Sequence, residues 1–244
     1  RALASKSRAG GAAAARYGSA EYWRARYGAE GGMEAFDWYL RWEQLRDTLL
    51  PLLSREDDPE FRATELLLLG CGTSTLGEQI YGEGFMNITN VDRCEEVIAA
   101  MQERHQAQLD GSAAAGAKGK KPDKKSATPE PTEPKVPMAF VAADATSLPQ
   151  DWAGRFDVVV DKAMLDAVAC GEAKWQTVEA VMHSVSRVLK PGSGVYMSIS
   201  HAGPEVRKKM LVGPHQDDES DYSSEYGWDF SHGAVPRPLS NPNA

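Results

Sequence analysis

Two sets of residues could do chemistry together. Gly70, Gly72 and Gly77 bracket a tight turn in LLLLGCGTSTLG, and three acids, Asp92, Asp144 and Asp161, each close an apolar run. A Gly-x-Gly turn after a buried strand lets the backbone approach a ligand closely, and acids at the ends of neighbouring strands accept from its hydroxyls and amines. A phosphate-binding loop would need Lys and Ser or Thr after Gly77, where this chain has Glu78 and Gln79. A dinucleotide fingerprint would need glycine at position 75, which is Thr75. That ranks a dinucleotide dehydrogenase last.

The acids sharpen the choice. Asp92 stands 20 residues after Gly72, where a carboxylate can accept from both ribose hydroxyls. Asp144 is placed for an exocyclic adenine amine. An NADP or ATP site would want Arg or Lys here. The set suits an adenosine that carries no phosphate, and S-adenosylmethionine has that make-up, with an amino-acid tail and a cationic sulfur.

The surrounding elements must hold these residues at one edge. TELLLLG (64–70) reads as a strand buried on both faces, followed by a helix from Ser74 to Tyr81. NITNVD (87–92), MAFVAAD (138–144), RFDVVVDKA (155–163) and GVYMSIS (194–200) read as further strands. Val97, Ile98, Met101 and His105 recur at helical spacing, as do Val178, Val181, Met182, Val185 and Val188. Alternating strands and helices predict an α/β, doubly wound, mostly parallel sheet, with ligands outside the carboxyl ends of its strands.

Residues 19–244 are expected to form one domain, after an extension over 1–18 that is acid-free and rich in Arg, Ala and Ser. Such a start resembles the tail of an organelle transit peptide. A cytoplasmic location is favoured, with mitochondrion or plastid as the alternative. A low-complexity insert at about 110–137 joins a helix to the start of a strand, so its lysines should lie away from the site. The net charge of −8 disfavours a general nucleic-acid partner. The three cysteines and five histidines lack ligand spacing, so no metal is expected. No apolar run approaches the ~20 residues of a membrane span, and no membrane partner is expected. The acidic stretch 216–225 is a candidate contact for a basic protein.

Four blocks, LLLLGCGTSTLGEQIY, NVDRCEEVIAAM, FDVVVDKAMLDAV and VSRVLKPGSGVYMSIS, resemble class I, seven-strand S-adenosylmethionine-dependent methyltransferases. The block EYWRARYG…FDWYLRWEQL, with GPEVR (203–207), is similar to the methyltransferase-like proteins that act on lysines of translation elongation factor one-alpha. The resemblance implies a Rossmann-like fold, S-adenosylmethionine as cofactor and a protein-lysine acceptor, with that elongation factor as the suggested partner. It implies cofactor contacts from Trp23, Tyr27, Trp38, Gly70, Gly72, Asp92, Arg93, Asp144, Ala145 and Lys162. Two of Phe36, Trp38, Tyr39 and Trp42 are expected to touch cofactor or substrate. Asp161 and Asp166 are the candidates to hold an acceptor amine.

Two departures stand out. The family commonly has Gly-Thr where this chain has Ala163-Met164, beside the acceptor pocket. YGWDFSHGAV (226–235) reads as a sixth strand, and the family's final antiparallel strand is not visible. A small-molecule methyltransferase and a non-catalytic scaffold are the alternative readings.

Overall fold

The computed structural model describes residues 16–54, 63–111, 136–212, 226 and 229–235. Its centre is a five-stranded parallel sheet: β1 (Glu65–Leu69), β2 (Asn87–Asp92), β3 (Ala139–Ala142), β4 (Val158–Lys162) and β5 (Val195–Ile199), in the order β3-β2-β1-β4-β5. Among the described residues seven α-helices surround it: α1 (Ala20–Gly28), α2 (Trp42–Leu53), α3 (Leu76–Gly82), α4 (Glu95–Leu109), α5 (Met164–Val168), α6 (Lys174–Val188) and α7 (Pro204–Val212).

The leucine run explains the layering. Successive side chains on a strand point to opposite faces, so a strand covered on both sides must be apolar throughout. Leu67 and Leu69 pack with Val159 against α6 residues Val178, Val181, Met182 and Val185. Leu66 and Leu68 pack with Val158 and Val160 against Leu45, Leu49 and Leu53 of α2 and Ile80 of α3. β1 pairs on both sides, Leu67 opposite Thr89 and Val159, so the turn that follows it lies centrally.

Two expectations are corrected. The helix expected from Ser74 begins at Leu76, because Ser74 Oγ accepts from the Leu76 amide at 3.1 Å instead of joining the helix. The expected sixth strand does not form among the described residues of 226–235. Phe230 packs with the α6 layer and Val235 with the α2 layer, so this segment passes between faces rather than lying in the sheet. Residues 1–15, most of the insert (112–135) and the acidic stretch 216–225 lie outside the described residues.

β4 ends in an unusual backbone. Ala163, between the strand and α5, has φ 74° and ψ −7°. This is the left-handed region, where a Cβ costs about 1–2 kcal/mol. Glycine, which the resembling family carries at this position, would be relaxed there. Ala163→Gly is expected to stabilise the protein by roughly 0.5–1 kcal/mol, part of the relieved strain being offset by the freer unfolded chain. Thermal unfolding checks this as a Tm raised by about 1–3 °C.

Candidate active site at the carboxyl edge of the sheet

The turn after β1 is held in place from both sides. Gly70 and Gly72 have φ of 66° and 50°. A Cβ on Gly70 would fall 2.4 Å from Met164 Cγ, and one on Gly72 would fall 2.7 Å from the Tyr27 hydroxyl. Gly77 answers the missing glycine at 75. A Cβ there would lie 2.6 Å from Asn90 Oδ1, so this position lets α3 pack close to β2.

Around this turn lies one cavity of about 1180 Å³. It is lined by Trp23, Tyr27, Trp38, Gly70, Gly72, Asp92, Arg93, Asp144, Ala145 and Lys162, the residues named from sequence for the cofactor, and by Asp166. Phe36 and Tyr39 also line it, so three of the four aromatics of the FDWYLRW block face the cavity. Trp42 instead is buried with α2, its Nε1 donating to Glu83 at 3.1 Å.

Asp92 is buried at the end of β2, and its two oxygens accept from the Gly72 and Cys94 amides, each at 3.0 Å. Burial pushes its carboxyl up, against the pull of these amides. Each oxygen retains a lone pair for a further donor. Asp144 also serves its own backbone: Oδ1 accepts from the Thr146 amide and hydroxyl at 2.9 and 2.8 Å, and Oδ2 pairs with Arg93 at 3.2 Å. Burial would raise this carboxyl, but Thr146 and then Arg93 outweigh it and hold it below the usual range.

Asp161 is placed differently. It does not line the cavity, and its Oδ1 accepts from the Met164 and Leu165 amides at 2.7 and 3.1 Å. Oδ2 accepts from Ser198 Oγ at 2.9 Å and the Tyr196 hydroxyl at 3.2 Å. Burial pushes this carboxyl up to about 6. Its geometry is that of a brace for the turn between β4 and α5.

Lys162 reaches across to the loop before α2. Its Nζ lies 2.6 Å from Asp37 Oδ1 and donates to the Trp38 and Leu40 carbonyls at 3.3 and 3.4 Å. Asp37 also accepts from Ser74 Oγ at 2.5 Å and Thr75 Oγ1 at 2.9 Å. This carboxylate was missed in the sequence, where its only signal is to be the acid inside FDWY. Arg104 of α4 was missed as well. It pairs with Glu78 at 2.6 Å and donates to the Thr73 and Ser74 carbonyls at 3.2 and 3.0 Å, gripping the turn from behind.

Among the described residues, the lysine and arginines of the cavity wall are all engaged. Lys162 serves Asp37, Arg93 serves Asp144, and the Arg26 guanidinium sits over the Phe36 and Trp38 rings at 5.3 and 5.5 Å. The described wall therefore offers a buried carboxylate, aromatic faces and a glycine turn, and among the described residues no lysine or arginine is spare for a phosphate. These residues fit an adenosine bearing an uncharged or cationic tail.

The Asp37–Lys162 pair generates a prediction. Both side chains are largely removed from water, 5% and 11% exposed, and removing one leaves the other as a poorly compensated charge, costing at most about 3–5 kcal/mol. Asp37→Ala should lose about that much stability, and Asp37→Leu with Lys162→Met should recover most of it. Burial would raise the Asp37 carboxyl, but Lys162 and Ser74 hold it below its usual value. A depressed carboxyl contributes stability that is full above about pH 4 and is lost as pH falls through the lower, folded value. Denaturant titrations across the acid range check both, since the double variant should lack this acid limb.

Known proteins resemble this chain over much of its length. The family described as methyltransferase domain matches residues 67–197, from β1 to β5. EEF1A lysine methyltransferase 4 of Mus musculus is 29% identical over 224 residues, covering 88% of this chain and 70% of that protein. The eEF1A lysine and N-terminal methyltransferase of Mus musculus is 32% identical over 197 residues, covering 80% of this chain but 23% of that protein. A solved SAM-dependent methyltransferase from Methanosarcina mazei shares 19% identity and a TM-score of 0.42, over 65% of this chain and 56% of that one. A likeness at that score does not define the fold, which the strand order above does by itself. With more than half its length matched by the family, this chain belongs to the methyltransferase-domain family, as a class I, S-adenosylmethionine-dependent methyltransferase.

Proposed function

We propose that the acceptor is a lysine of a protein, and that translation elongation factor one-alpha is the substrate. The observation that carries the lysine reading is a single cavity running from the glycine turn to the buried carboxylate of Asp166. The names of the two mouse relatives point to the same elongation factor, and Trp23, Tyr27, Phe36, Trp38 and Tyr39 of the N-terminal block that carried the resemblance in the sequence line this cavity.

S-adenosylmethionine supplies, when bound, a methyl group on a cationic sulfur. The Gly70–Gly72 turn would hold the amino-acid end, Asp92 the ribose, and Asp144 with Ala145 the adenine. Trp23 and Tyr27, ring centroids 5.8 Å apart, would cover the cofactor from α1. The chain's contribution is alignment of acceptor and methyl, which can supply most of the rate of such a displacement. An acceptor lysine must be neutral to attack: desolvation inside the cavity lowers the pKa of an amine, a nearby carboxylate opposes this, and the proton leaves to water.

Calorimetry with S-adenosylhomocysteine should give saturable binding, at least about tenfold weaker in Asp92→Ala, since hydrogen bonds to a charged group are worth ~1.5–3 kcal/mol. The melting transition of the variant checks that it is folded. Labelled methyl from the cofactor should then appear on recombinant elongation factor and vanish when its acceptor lysine is replaced by arginine. Intact cofactor binding with no label on any protein would overturn the protein-lysine reading and point to a small-molecule acceptor.

A further inference from the structure

Away from the glycine turn, the cavity wall carries an imidazole held by a buried acid. His201, in the loop after β5, lines the cavity, and its side chain is 58% exposed. It is the one histidine of the wall among the described residues. Its Nδ1 lies 3.2 Å from Asp166 Oδ1 and 2.9 Å from the Tyr39 hydroxyl. Among the described residues both polar contacts run through that one ring nitrogen. The ring stands near the glycine turn: Met164, which packs against Gly70, opens α5, and Asp166 follows two residues on in the same helix.

The surroundings decide where the ring carries its hydrogen. Asp166 is buried, and its Oδ1 also accepts from Ser200 Oγ at 2.8 Å and from the Arg207 guanidinium. A carboxylate oxygen only accepts, so the contact from His201 needs a hydrogen on Nδ1. The Tyr39 hydroxyl can accept from that same hydrogen and keep its own, because burial first, and then the charge of Asp166, push the phenol up. A neutral imidazole with its hydrogen on Nδ1 has a bare lone pair on Nε2. The two nitrogens lie on different sides of the ring, so Nδ1 turned into the wall leaves Nε2 turned out of it.

Methyl transfer to an amine calls for such a group. An alkyl ammonium has no lone pair to attack with, and a general base must stand within hydrogen-bond reach of the proton it removes. Met164, Ala167 and Val168 line the cavity beside Asp166, an apolar wall suited to the stem of an alkyl amine.

We propose that His201 Nε2 is the general base that takes a proton from the acceptor's ammonium, with Asp166 as the positioning residue that fixes its tautomer. This rests on the methyl-transfer reading above and adds the route by which the proton reaches water. In the step, an N–H bond of the ammonium breaks and an N–H bond forms at Nε2. The electron pair freed on the acceptor nitrogen attacks the methyl carbon, and the pair of the carbon–sulfur bond leaves on sulfur. The exposed imidazolium then returns its proton to solvent. Among the described residues the titratable and charged groups that face this ring are Asp166 from α5, Tyr39 from the loop before α2 and, through Asp166, Arg207 from α7.

Two measurements test it. Nitrogen NMR on the protein loaded with S-adenosylhomocysteine, with the imidazole titrated to its neutral form, should show the His201 hydrogen on Nδ1 and none on Nε2. The signal is assigned by its loss in His201→Asn, and a hydrogen on Nε2 overturns the proposal. That variant keeps an amide donor for Asp166 and removes the base, so a merely structural role would survive it. In single turnover, labelled-methyl transfer to recombinant elongation factor should fall at least ~10²-fold in His201→Asn at about pH 7, while affinity for S-adenosylhomocysteine stays within about twofold. The deficit should shrink as pH rises toward about 10, where an alkyl amine loses its proton unaided. No deficit, or one equal at every pH, overturns the proposal. If no protein takes label, n-butylamine serves as the acceptor in the same comparison, and no transfer to it overturns the base role as well. Failure of S-adenosylhomocysteine to bind sinks the methyl-transfer reading and this proposal with it, whereas binding and transfer without the pH-dependent deficit sink this proposal alone.

Discussion

The carboxylate of Asp37 is the interaction on which the site depends. Its two oxygens take three donors from two separate elements, Lys162 at the end of β4 and Ser74 with Thr75 in the turn after β1. Without it the loop before α2 would be held here by the Lys162 bonds to the Trp38 and Leu40 carbonyls and the Phe36 amide bond to Thr73, and Lys162 would lose its counter-charge. Buried pairs of this kind are costly to assemble and costlier to break, so they fix one arrangement rather than add much net stability. The arrangement fixed here is the closing of the N-terminal aromatics over the glycine turn.

Strain collects at the two ends of that pair. Tyr39 follows Asp37 by two residues and Ala163 follows Lys162 directly, and these are the non-glycine residues with positive φ among those described. Both border the cavity. Backbone strain survives where the surroundings over-determine it, and such positions gather at functional sites. Ala163 turns the chain so that Met164 lies against Gly70, and Tyr39 turns its ring toward His201. The substitution of Ala163-Met164 for the family's Gly-Thr therefore acts on the wall between the cofactor turn and Asp166.

Charge selects the ligand by what is already committed. Cations stand in the cavity wall, but Arg26 lies over aromatic rings, Arg93 meets Asp144 and Lys162 meets Asp37. A phosphate would have to displace one of these pairings. Among the described residues, the buried carboxylate of Asp92 keeps acceptor capacity beyond its two amide donors. A wall of this polarity suits an adenosine with a cationic sulfur better than a phosphorylated ligand.

Much of this was legible in the sequence because it is local. A strand covered on both faces must be apolar throughout, so LLLL before a glycine could hardly be read otherwise, and NITNVD forms β2 over the expected residues. The parallel α/β order, the Gly-x-Gly turn and the acids at the strand ends follow from the same periodicities. What pairs with what did not follow. Asp37 and Lys162 are 125 residues apart, and Arg104 reaches Glu78 across 26. Asp161 and Asp166 looked alike as acids beside β4. The strand's direction turns Asp161 to the backbone of the following turn, and the helix turns Asp166 to the cavity. Residue type and spacing determined which groups this protein owns and at which edge they gather. Only the folded chain decided which carboxylates were already satisfied, because hydrogen-bond partners are chosen by proximity in space and not by separation along the chain.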